Sequence, residues 1–586
     1  MPTILGTPGD DVLIGTSGDD RIEGFAGRDI LYGAGGADEM FGGADDDVYS
    51  VDNVGDRIRE LSNEGNDIVY SSISFTLILL IGQSSVETLS TIQHSDTTPI
   101  DLEGPVTTIL GNYGNNVLRE GRNLYGFLGD DTYVWDLTFA GAVFEAAGEG
   151  NDQVLTNTDF TLGAGQSVES IAGFNPARTI GMALTGNAFA QTITGNAGAD
   201  TLDSGVGAAD VLTGLGGNDI YRIRNQGDQV VEAAGGGTDT IVASFSFDLN
   251  SVANVENLSA EAGTAAIALF GNAQDNVLAG NAGNNTLDGA GGVDTLRGGA
   301  GDDIYIVHSQ LDRVLETPEE GNDIVYTSVS YTLQTAPSQS VETLSTRVHA
   351  ATTAINLGGN DFANTLIGNF GDNVLNGLGG ADTMIGLAGN DTYIVDLDYD
   401  AVMDDPGDAI VEAQSGGSDI VYALVSYALT AGAEVETLST SVHGATGAIN
   451  LTGNEFGQAI YGNFGANSLD GKGGGDTLFG FNGADIFAFT TALGAGNVDT
   501  VADFSAADDT IALDDAVFTA LGAPGALNPN AFVTGAAAAD ADDRIVYNSA
   551  TGQLFYDADG NGGGAAVLFA TLTGAPALGA GDFTVI

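Results

Sequence analysis

Residues 6–50 decide the fold, because they read as five consecutive nine-residue blocks: GTPGDDVLI, GTSGDDRIE, GFAGRDILY, GAGGADEMF and GGADDDVYS. The sixth position of every block is an aspartate, at Asp11, Asp20, Asp29, Asp38 and Asp47. Two positions later each block carries an apolar or aromatic residue, beginning with Leu13 and ending with Tyr49. A fixed period of this kind indicates a repeat protein in which each block is one structural unit.

Each block divides into a turn and a short strand. Glycines at the first, second and fourth positions permit backbone conformations that other residues avoid, so carbonyl oxygens of the turn can converge on one point. The aspartate adds a negatively charged oxygen there. The last three residues form a strand whose apolar middle residue points inward while its neighbours point outward.

A longer period of 84 to 94 residues lies over the first. It is marked by Asp-x-Tyr or Asp-x-Phe words at Asp131, Asp219, Asp303, Asp391 and Asp485. Nonapeptides return near the end of each long unit, and their sixth positions run from amides to aspartates: Asn276, Asn285, Asp294, Asp303; Asn364, Asn373, Asp382, Asp391; and Gln458, Asn467, Asp476, Asp485. An earlier unit has Asp200, Asp210 and Asp219 with one inserted residue. Fewer calcium sites are expected between residues 111 and 131, where the repeat is eroded.

The blocks resemble the RTX (hemolysin-type) nonapeptide, Gly-Gly-x-Gly-x-Asp-x-apolar-x, over most of the chain up to about Phe487. The resemblance implies a parallel β-roll in which two nonapeptides complete one turn and loops two repeats apart are neighbours. Asp11, Asp29 and Asp47 would then line one edge, and Asp20 and Asp38 the other. It also implies Ca²⁺ ions held between successive loops by carboxylates and carbonyls.

The candidate calcium ligands are the sixth-position aspartates: Asp11, Asp20, Asp29, Asp38, Asp47, Asp200, Asp210, Asp219, Asp294, Asp303, Asp382, Asp391, Asp476 and Asp485. The alternative is an ion-free solenoid whose aspartates cap backbone amides of Gly-Asp turns. For blocks with Asn or Gln at the sixth position this alternative stays open, because a neutral amide is a weaker ligand and can form a side-chain ladder instead.

Composition favours a divalent cation as partner. The 586 residues include 80 acidic and only 14 Lys and Arg residues, for a formal net charge of -66. A compact chain with this charge repels itself unless cations neutralise it, and carboxylate oxygens, which are hard ligands, prefer Ca²⁺ or Mg²⁺. The negative charge also excludes nucleic acid as a partner. Cysteine is absent, which excludes disulfides and thiolate metal sites.

No apolar run is long enough to span a membrane, and the first residues do not read as a cleaved signal peptide. We therefore expect any export signal to lie elsewhere. Residues 542–560 resemble the C-terminal domain of serralysin-type secreted proteins, which carries a type I secretion signal, and the ending Asp582–Ile586 fits the acidic-then-apolar end of such signals. Read from the residues alone, the strand-like segments 553–557 and 566–572 around an Asp-Gly-Asn-Gly turn predict a hairpin.

Catalytic motifs are missing. The chain has no His-Glu-x-x-His zinc motif and no Gly-x-Ser-x-Gly elbow. Its four histidines lack metal-ligand spacing. His94, His349 and His443 each follow the same Glu-Thr-Leu-Ser-Thr word, so we expect them to occupy one repeated structural position. No carboxylate pair stands out, and whether the protein is an enzyme stays open.

The sequence therefore predicts an all-β, right-handed parallel β-roll or β-solenoid with a small β-rich C-terminal domain. The expected domains are an N-terminal β-roll (1–50), tandem long repeats (51–488) and a serralysin-like secretion domain (489–586). We expect a secreted, extracellular or cell-surface protein of a Gram-negative bacterium that folds on binding several Ca²⁺ ions and leaves by the type I secretion machinery. We expect it to serve as a structural or adhesive component of the cell surface or matrix, by self-assembly or by binding cell-surface polysaccharide. The alternative is a polysaccharide-acting enzyme, epimerase-like or lyase-like, that uses the solenoid face.

Overall fold

The computed structural model describes residues 1–61, 63–78, 86–135, 141–317, 320–334, 340–396, 407–413 and 416–586. The chain divides into two compact units. The first comprises Met1–Ala262, Ile267–Asn272 and Asn276–Leu278, and the second comprises Gly263–Ala266, Ala273–Asp275 and Ala279–Ile586.

The first unit is a parallel β-solenoid in which each strand pairs with the strand two places along the chain. Strand Val12–Ile14 pairs with Ile30–Tyr32, and strand Arg21–Ala26 pairs with Glu39–Ala44. The register places Leu13 opposite Leu31, which is eighteen residues later. Two nonapeptides therefore make one turn, and the predicted parallel solenoid is confirmed.

The strands up to Ala279 are short and connected by glycine-rich turns. They are Thr3–Leu5, Val12–Ile14, Arg21–Ala26, Ile30–Tyr32, Glu39–Ala44, Val48–Val51, Arg57–Arg59, Ile68–Ser71, Phe75–Thr76, Thr88–Thr91, Leu102–Glu103, Thr108–Leu110, Val117–Arg119, Asn123–Tyr125, Thr132–Trp135, Ala142–Phe144, Gln153–Thr156, Phe160–Thr161, Ser170–Gly173, Ala183–Thr185, Thr192–Thr194, Thr201–Asp203, Val211–Thr213, Ile220–Ile223, Gln229–Val231, Thr240–Ala243, Phe247–Asp248, Asn257–Ala260, Ala268–Phe270 and Val277–Ala279, with a 3-10 helix at Leu249–Ser251.

The core of each unit is a stack of the middle residues of these strands. Leu31 is fully buried between Ile30 and Tyr32, whose side chains face outward or lie at the surface. Each such leucine contributes roughly 1.5–3 kcal/mol relative to an exposed one. Because parallel pairing sets like residues over one another, the apolar column runs along the interior and the turns lie at the two edges.

The second unit has the same parallel pairing between alternate strands, and antiparallel pairs appear near its C-terminus. Strand Asp499–Val501 pairs in parallel with Val567–Leu572, and Thr510–Leu513 pairs in parallel with Phe583–Val585. Gln553–Tyr556 pairs antiparallel with Val567–Leu572, which confirms the predicted hairpin.

Its strands are Thr286–Asp288, Thr295–Arg297, Ile304–Val307, Arg313–Val314, Ile324–Thr327, Tyr331–Thr332, Thr343–Thr346, Leu357–Gly358, Thr365–Ile367, Val374–Asn376, Thr383–Ile385, Thr392–Val395, Ala409–Val411, Ile420–Ala423, Tyr427–Ala428, Thr437–Thr440, Leu451–Thr452, Ala459–Tyr461, Ser468–Asp470, Thr477–Phe479, Ile486–Phe489, Asp499–Val501, Thr510–Leu513, Gly525–Ala526, Phe532–Thr534, Ile545–Asn548, Gln553–Tyr556, Val567–Leu572 and Phe583–Val585, with 3-10 helices at Pro529–Ala531 and Ala580–Asp582. Among all described residues, no helix has the length and apolar character needed to cross a membrane.

Candidate calcium-binding loops

The sixth-position aspartates form two hydrogen-bonded ladders at the turns of the first five blocks. The main-chain N–H of Asp11 donates to Oδ1 of Asp29, and that of Asp29 donates to Oδ1 of Asp47, both at 2.8 Å. On the other edge, the N–H of Asp20 donates to Oδ1 of Asp38 at 2.8 Å. The expected arrangement of alternate aspartates on two edges is confirmed, and each Oδ1 caps a backbone amide.

Glycine at the first position makes room for the aspartate carboxylate. A Cβ atom at Gly24 would lie 2.1 Å from Oδ2 of Asp29 and 2.7 Å from the carbonyl oxygen of Gly42. In the third block the fourth position, Gly27, has left-handed backbone with φ of 99°. The second position of that block also has a positive φ although it is not glycine, at Phe25 with φ of 85°. The loop geometry thus imposes some strain at that position.

The second carboxylate oxygen sets most of the aspartates apart from ordinary turn residues. Many ladder aspartates have one buried carboxylate oxygen without a hydrogen-bond partner: Asp20, Asp29, Asp38, Asp47, Asp67, Asp131, Asp152, Asp210, Asp219, Asp239, Asp303, Asp323, Asp391, Asp419, Asp476 and Asp485. A buried charged oxygen without a partner is costly. A cation with oxygen ligands would offset that cost, so the loops fit Ca²⁺ on the chemistry of their donors.

Amide residues at the sixth position behave differently. Oδ1 of Asn373 accepts the N–H of Asn369 at 2.7 Å, and its Nδ2 donates to the carbonyl of Ile355 at 2.9 Å. Nε2 of Gln458 donates to Oδ1 of Asn454 at 2.8 Å. The protein itself satisfies both ends of these amides, which supports the ion-free alternative for the amide blocks.

Asp200 resembles the amides rather than its neighbours. Its Oδ2 accepts the N–H of Asn196 at 2.6 Å and its Oδ1 accepts the N–H of Met182 at 2.7 Å. Asp210, one block later, accepts the N–H of Gln191 with Oδ1 and keeps Oδ2 unpartnered. As a calcium ligand, Asp200 therefore has weaker support from the geometry than Asp210.

The remaining predicted ligands also lie on ladders. Asp11 is partly exposed, and its Oδ2 accepts the Thr7 N–H. The N–H groups of Asp294, Asp303, Asp382, Asp391, Asp476 and Asp485 donate to carboxylate oxygens of Asp312, Asp323, Asp408, Asp419, Asp499 and Asp509, respectively. The acceptors are carboxylates that sequence reasoning missed as ligands, because they stand outside unbroken nonapeptides.

Burial opposes ionisation of the ladder carboxyls. Removal from water, reinforced by the charges of Asp29 and Asp67, raises the pKa of Asp47 to about 7. Burial likewise raises the pKa of Asp219 and of Asp485 to about 7. A bound cation would reverse this effect by favouring the charged form.

Three groups of buried carboxylates bring ligand atoms within 4.8 Å of one another in the described chain: Asp131, Glu145 and Asp152; Asp219, Glu232 and Asp239; and Asp391, Glu412 and Asp419. The glutamates were missed by sequence reasoning. The sequence feature that could have revealed them is a Val-Glu, Phe-Glu or similar pair that follows each Asp-x-Tyr word.

The repeated histidines occupy one structural position, as expected. The carbonyl oxygens of His94, His349 and His443 accept the N–H groups of Tyr113, Phe370 and Phe464, each at 2.8 Å. The rings of His349 and His443 lie at hydrogen-bond distance from serine hydroxyls of their own rungs.

The C-terminal Asp-Gly-Asn-Gly segment fits a turn. Asp559 Oδ2 accepts the N–H of Gly564 at 3.0 Å, and Asp557 Oδ1 accepts the N–H of Asp559 at 3.3 Å. These bonds close the loop locally.

Comparison with known families agrees with the loop geometry. The RTX calcium-binding nonapeptide repeat matches residues 5–40, 26–58, 185–221, 270–305, 358–393 and 461–489. No curated protein matches the chain. The matched segments contain every predicted aspartate ligand, so the chain carries RTX calcium-binding nonapeptide repeats in several copies along its length.

Proposed function

We propose that this is a secreted calcium-binding protein whose solenoid folds when its aspartate loops take up Ca²⁺ outside the cell. The observation that carries the proposal is the contrast between the two kinds of sixth-position residue. Aspartates such as Asp29 keep a buried oxygen without a partner, whereas amides such as Asn373 are fully bonded within the protein.

The energetics support coupled folding and binding. Net charge of -66 opposes compaction, and ordering 88 glycines costs more backbone entropy than ordering other residues. The ladders also bring carboxylates close together, so their mutual repulsion disfavours the folded state when no cation is bound. Ca²⁺ bound by the folded chain only would add its binding free energy to folding.

Expansion of the calcium-free chain tests this proposal. We expect a large hydrodynamic radius by size-exclusion chromatography in EDTA and a compact one at about 1 mM Ca²⁺, a concentration typical of extracellular modules. Full compaction in EDTA would count against the proposal. Mg²⁺ at the same concentration is the control for ionic screening.

We further propose that the repeats serve as a structural or adhesive component at the cell surface or in a matrix. Repetition supplies length and regular display rather than one unique pocket. Calcium-dependent self-association or attachment to cells checks this role. Purified protein that stays monomeric and unattached at millimolar Ca²⁺ would contradict it.

Export is proposed to use a type I signal in a C-terminal domain, residues 489–586, that follows an N-terminal β-roll (1–50) and long repeats (51–488). The full chain, expressed with a type I exporter, should reach the medium, whereas a chain lacking residues 582–586 should stay in the cell. Equal export of both chains would place the signal elsewhere.

A further inference from the structure

A buried constellation of four side chains recurs where a long unit passes from its last nonapeptide to the next rung. Its members are two ladder aspartates, one tyrosine and one glutamate. In the described chain it occurs as Asp47, Tyr49, Glu60, Asp67; Asp131, Tyr133, Glu145, Asp152; Asp219, Tyr221, Glu232, Asp239; Asp303, Tyr305, Glu316, Asp323; and Asp391, Tyr393, Glu412, Asp419. We call these the Asp-Tyr-Glu-Asp clusters.

The backbone brings the glutamate into the cluster at the position that a loop glycine would otherwise hold. Glu60 follows Gly42 by eighteen residues, which is one full turn of the solenoid, and the N–H of Gly42 donates to Glu60 Oε1 at 3.2 Å. The same N–H lies 2.7 Å from the hydroxyl oxygen of Tyr49. Gly298, Glu316 and Tyr305 repeat both contacts at 3.2 and 2.7 Å.

The tyrosine fixes one end of the glutamate. Its hydroxyl donates to the carboxylate in the pairs Tyr133 with Glu145, Tyr221 with Glu232, Tyr305 with Glu316 and Tyr393 with Glu412. These tyrosine side chains are fully buried. The glutamate is therefore held rigidly beside the two aspartates.

The carboxylates of the cluster have buried oxygens without hydrogen-bond partners. In the second copy, Oδ2 of Asp131, Oδ2 of Asp152 and Oε1 of Glu145 all lack a hydrogen-bond partner, and the three residues are 1%, 1% and 3% exposed. These three carboxyl groups contribute ligand atoms within 4.8 Å of one another. In the first and fourth copies, Oε2 of Glu60 and of Glu316 is likewise buried without a partner.

Both oxygens of Glu232 and of Glu412 already accept hydrogen bonds, from a tyrosine hydroxyl and from the N–H of the next residue. We propose that the Asp131-Tyr133-Glu145-Asp152 cluster is a second kind of calcium site, in which a buried glutamate and a tyrosine hydroxyl complete a set of oxygen ligands begun by two ladder aspartates. This inference rests on the calcium-dependent fold proposed above. Three carboxylates and a hydroxyl provide hard oxygen donors, and carboxylates that can bind through one or both oxygens suit the variable coordination of Ca²⁺. The site differs from the nonapeptide loop because neither Glu nor Tyr belongs to the repeat consensus.

The end of the last long unit supplies a natural contrast. Phe487 replaces the tyrosine, and Asp503 stands where the glutamate would be. Both oxygens of Asp503 accept backbone bonds, from Gly480 N–H at 3.0 Å and Phe481 N–H at 2.8 Å. This copy lacks the hydroxyl and leaves no carboxylate oxygen of Asp503 unpartnered, so it forms no second-kind site.

Counting bound ions tests the proposal. We would measure Ca²⁺ per chain at about 1 mM free Ca²⁺ by equilibrium dialysis with elemental analysis. The wild type is compared with the variant E145Q and with the matched control D503N. We expect one fewer ion in E145Q and an unchanged count in D503N. Circular dichroism checks that each variant is folded, and Y133F, which removes only the hydroxyl and should also lose one ion, serves if E145Q is not.

The outcomes separate the two proposals. A folded E145Q variant that keeps the wild-type count would overturn the second-kind site and leave the loop sites standing. An equal loss in D503N would also overturn it, because the loss would then follow net charge rather than the cluster. A wild-type chain that binds no Ca²⁺ would instead refute the proposed function itself.

Discussion

The N–H of Asp29 donates to Oδ1 of Asp47 across one turn of the solenoid at 2.8 Å, while Oδ2 of Asp47 is buried without a partner. The two oxygens of one carboxylate thus have different roles. One caps the backbone of the neighbouring loop, as in any Asp turn. The other provides the negative charge that a cation can neutralise. The capping role expected of a Gly-Asp turn and an oxygen available to a cation therefore occur in the same side chain.

Substitution of Asp210 by Asn should remove a calcium ligand, because Oδ2 of Asp210 has no partner. We expect a higher Ca²⁺ midpoint of folding and one fewer ion bound. Asp200→Asn is the matched comparison in the same unit, since both Asp200 oxygens already accept backbone bonds. It should cost about 1 kcal/mol of stability through a lost hydrogen bond while the ion count stays constant. Isothermal titration of both variants checks this, and equal ion loss would contradict the distinction.

Gly24→Ala should destabilise the calcium-bound protein by at least about 1–3 kcal/mol, because the new Cβ would overlap Oδ2 of Asp29 and the Gly42 carbonyl. Gly18→Ala is its control, since nothing lies within 4 Å of a Cβ there. Thermal unfolding in Ca²⁺ measures both. A Gly24 variant as stable as the Gly18 variant would refute the close packing of glycine against carboxylate.

Ala34→Gly should stabilise the protein by about 0.5–1 kcal/mol, because Ala34 has a positive φ of 66° that glycine adopts without strain. The matched variant is Ala37→Gly in the same block, where φ is not positive and glycine should destabilise through backbone entropy. Denaturant unfolding in saturating Ca²⁺ compares them. The same sign for both variants would argue against the left-handed second position.

Low pH should partly substitute for Ca²⁺ in stabilising the folded chain. The folded-state pKa of Asp47 is raised to about 7 from a usual value of 3.8, and burial raises that of Asp131 to about 7 as well. The folded chain therefore binds protons more tightly than the unfolded chain. Its calcium-free stability should be greatest below about pH 4 and should fall as the pH rises through 7. Circular dichroism in EDTA between pH 4 and pH 8 measures this, and a gain of structure with rising pH would contradict it.

The nine-residue spacing was sufficient to predict a repeat protein, and the resemblance to the RTX nonapeptide implied two blocks per turn, which places Leu13 beside Leu31. The same resemblance implied the two aspartate edges. The spacing could not separate Asp200 from Asp210, since that difference depends on which backbone amides approach each carboxylate. Nor did it reveal Glu145, which lies fourteen residues after Asp131 in the sequence and reaches it only through the coil. Buried partners across turns are set by three-dimensional register, which a linear motif does not contain.

Titration of Ca²⁺ into EDTA-treated protein, followed by far-UV circular dichroism and by fluorescence of the single Trp135, tests the central claim most directly. Trp135 is buried at 7% exposure against Phe160, so folding should shift its emission to shorter wavelength. We predict a cooperative gain of β signal with Ca²⁺ and little change with equal Mg²⁺. A chain that is already fully folded in EDTA at neutral pH would contradict the account and leave the aspartates as structural turns.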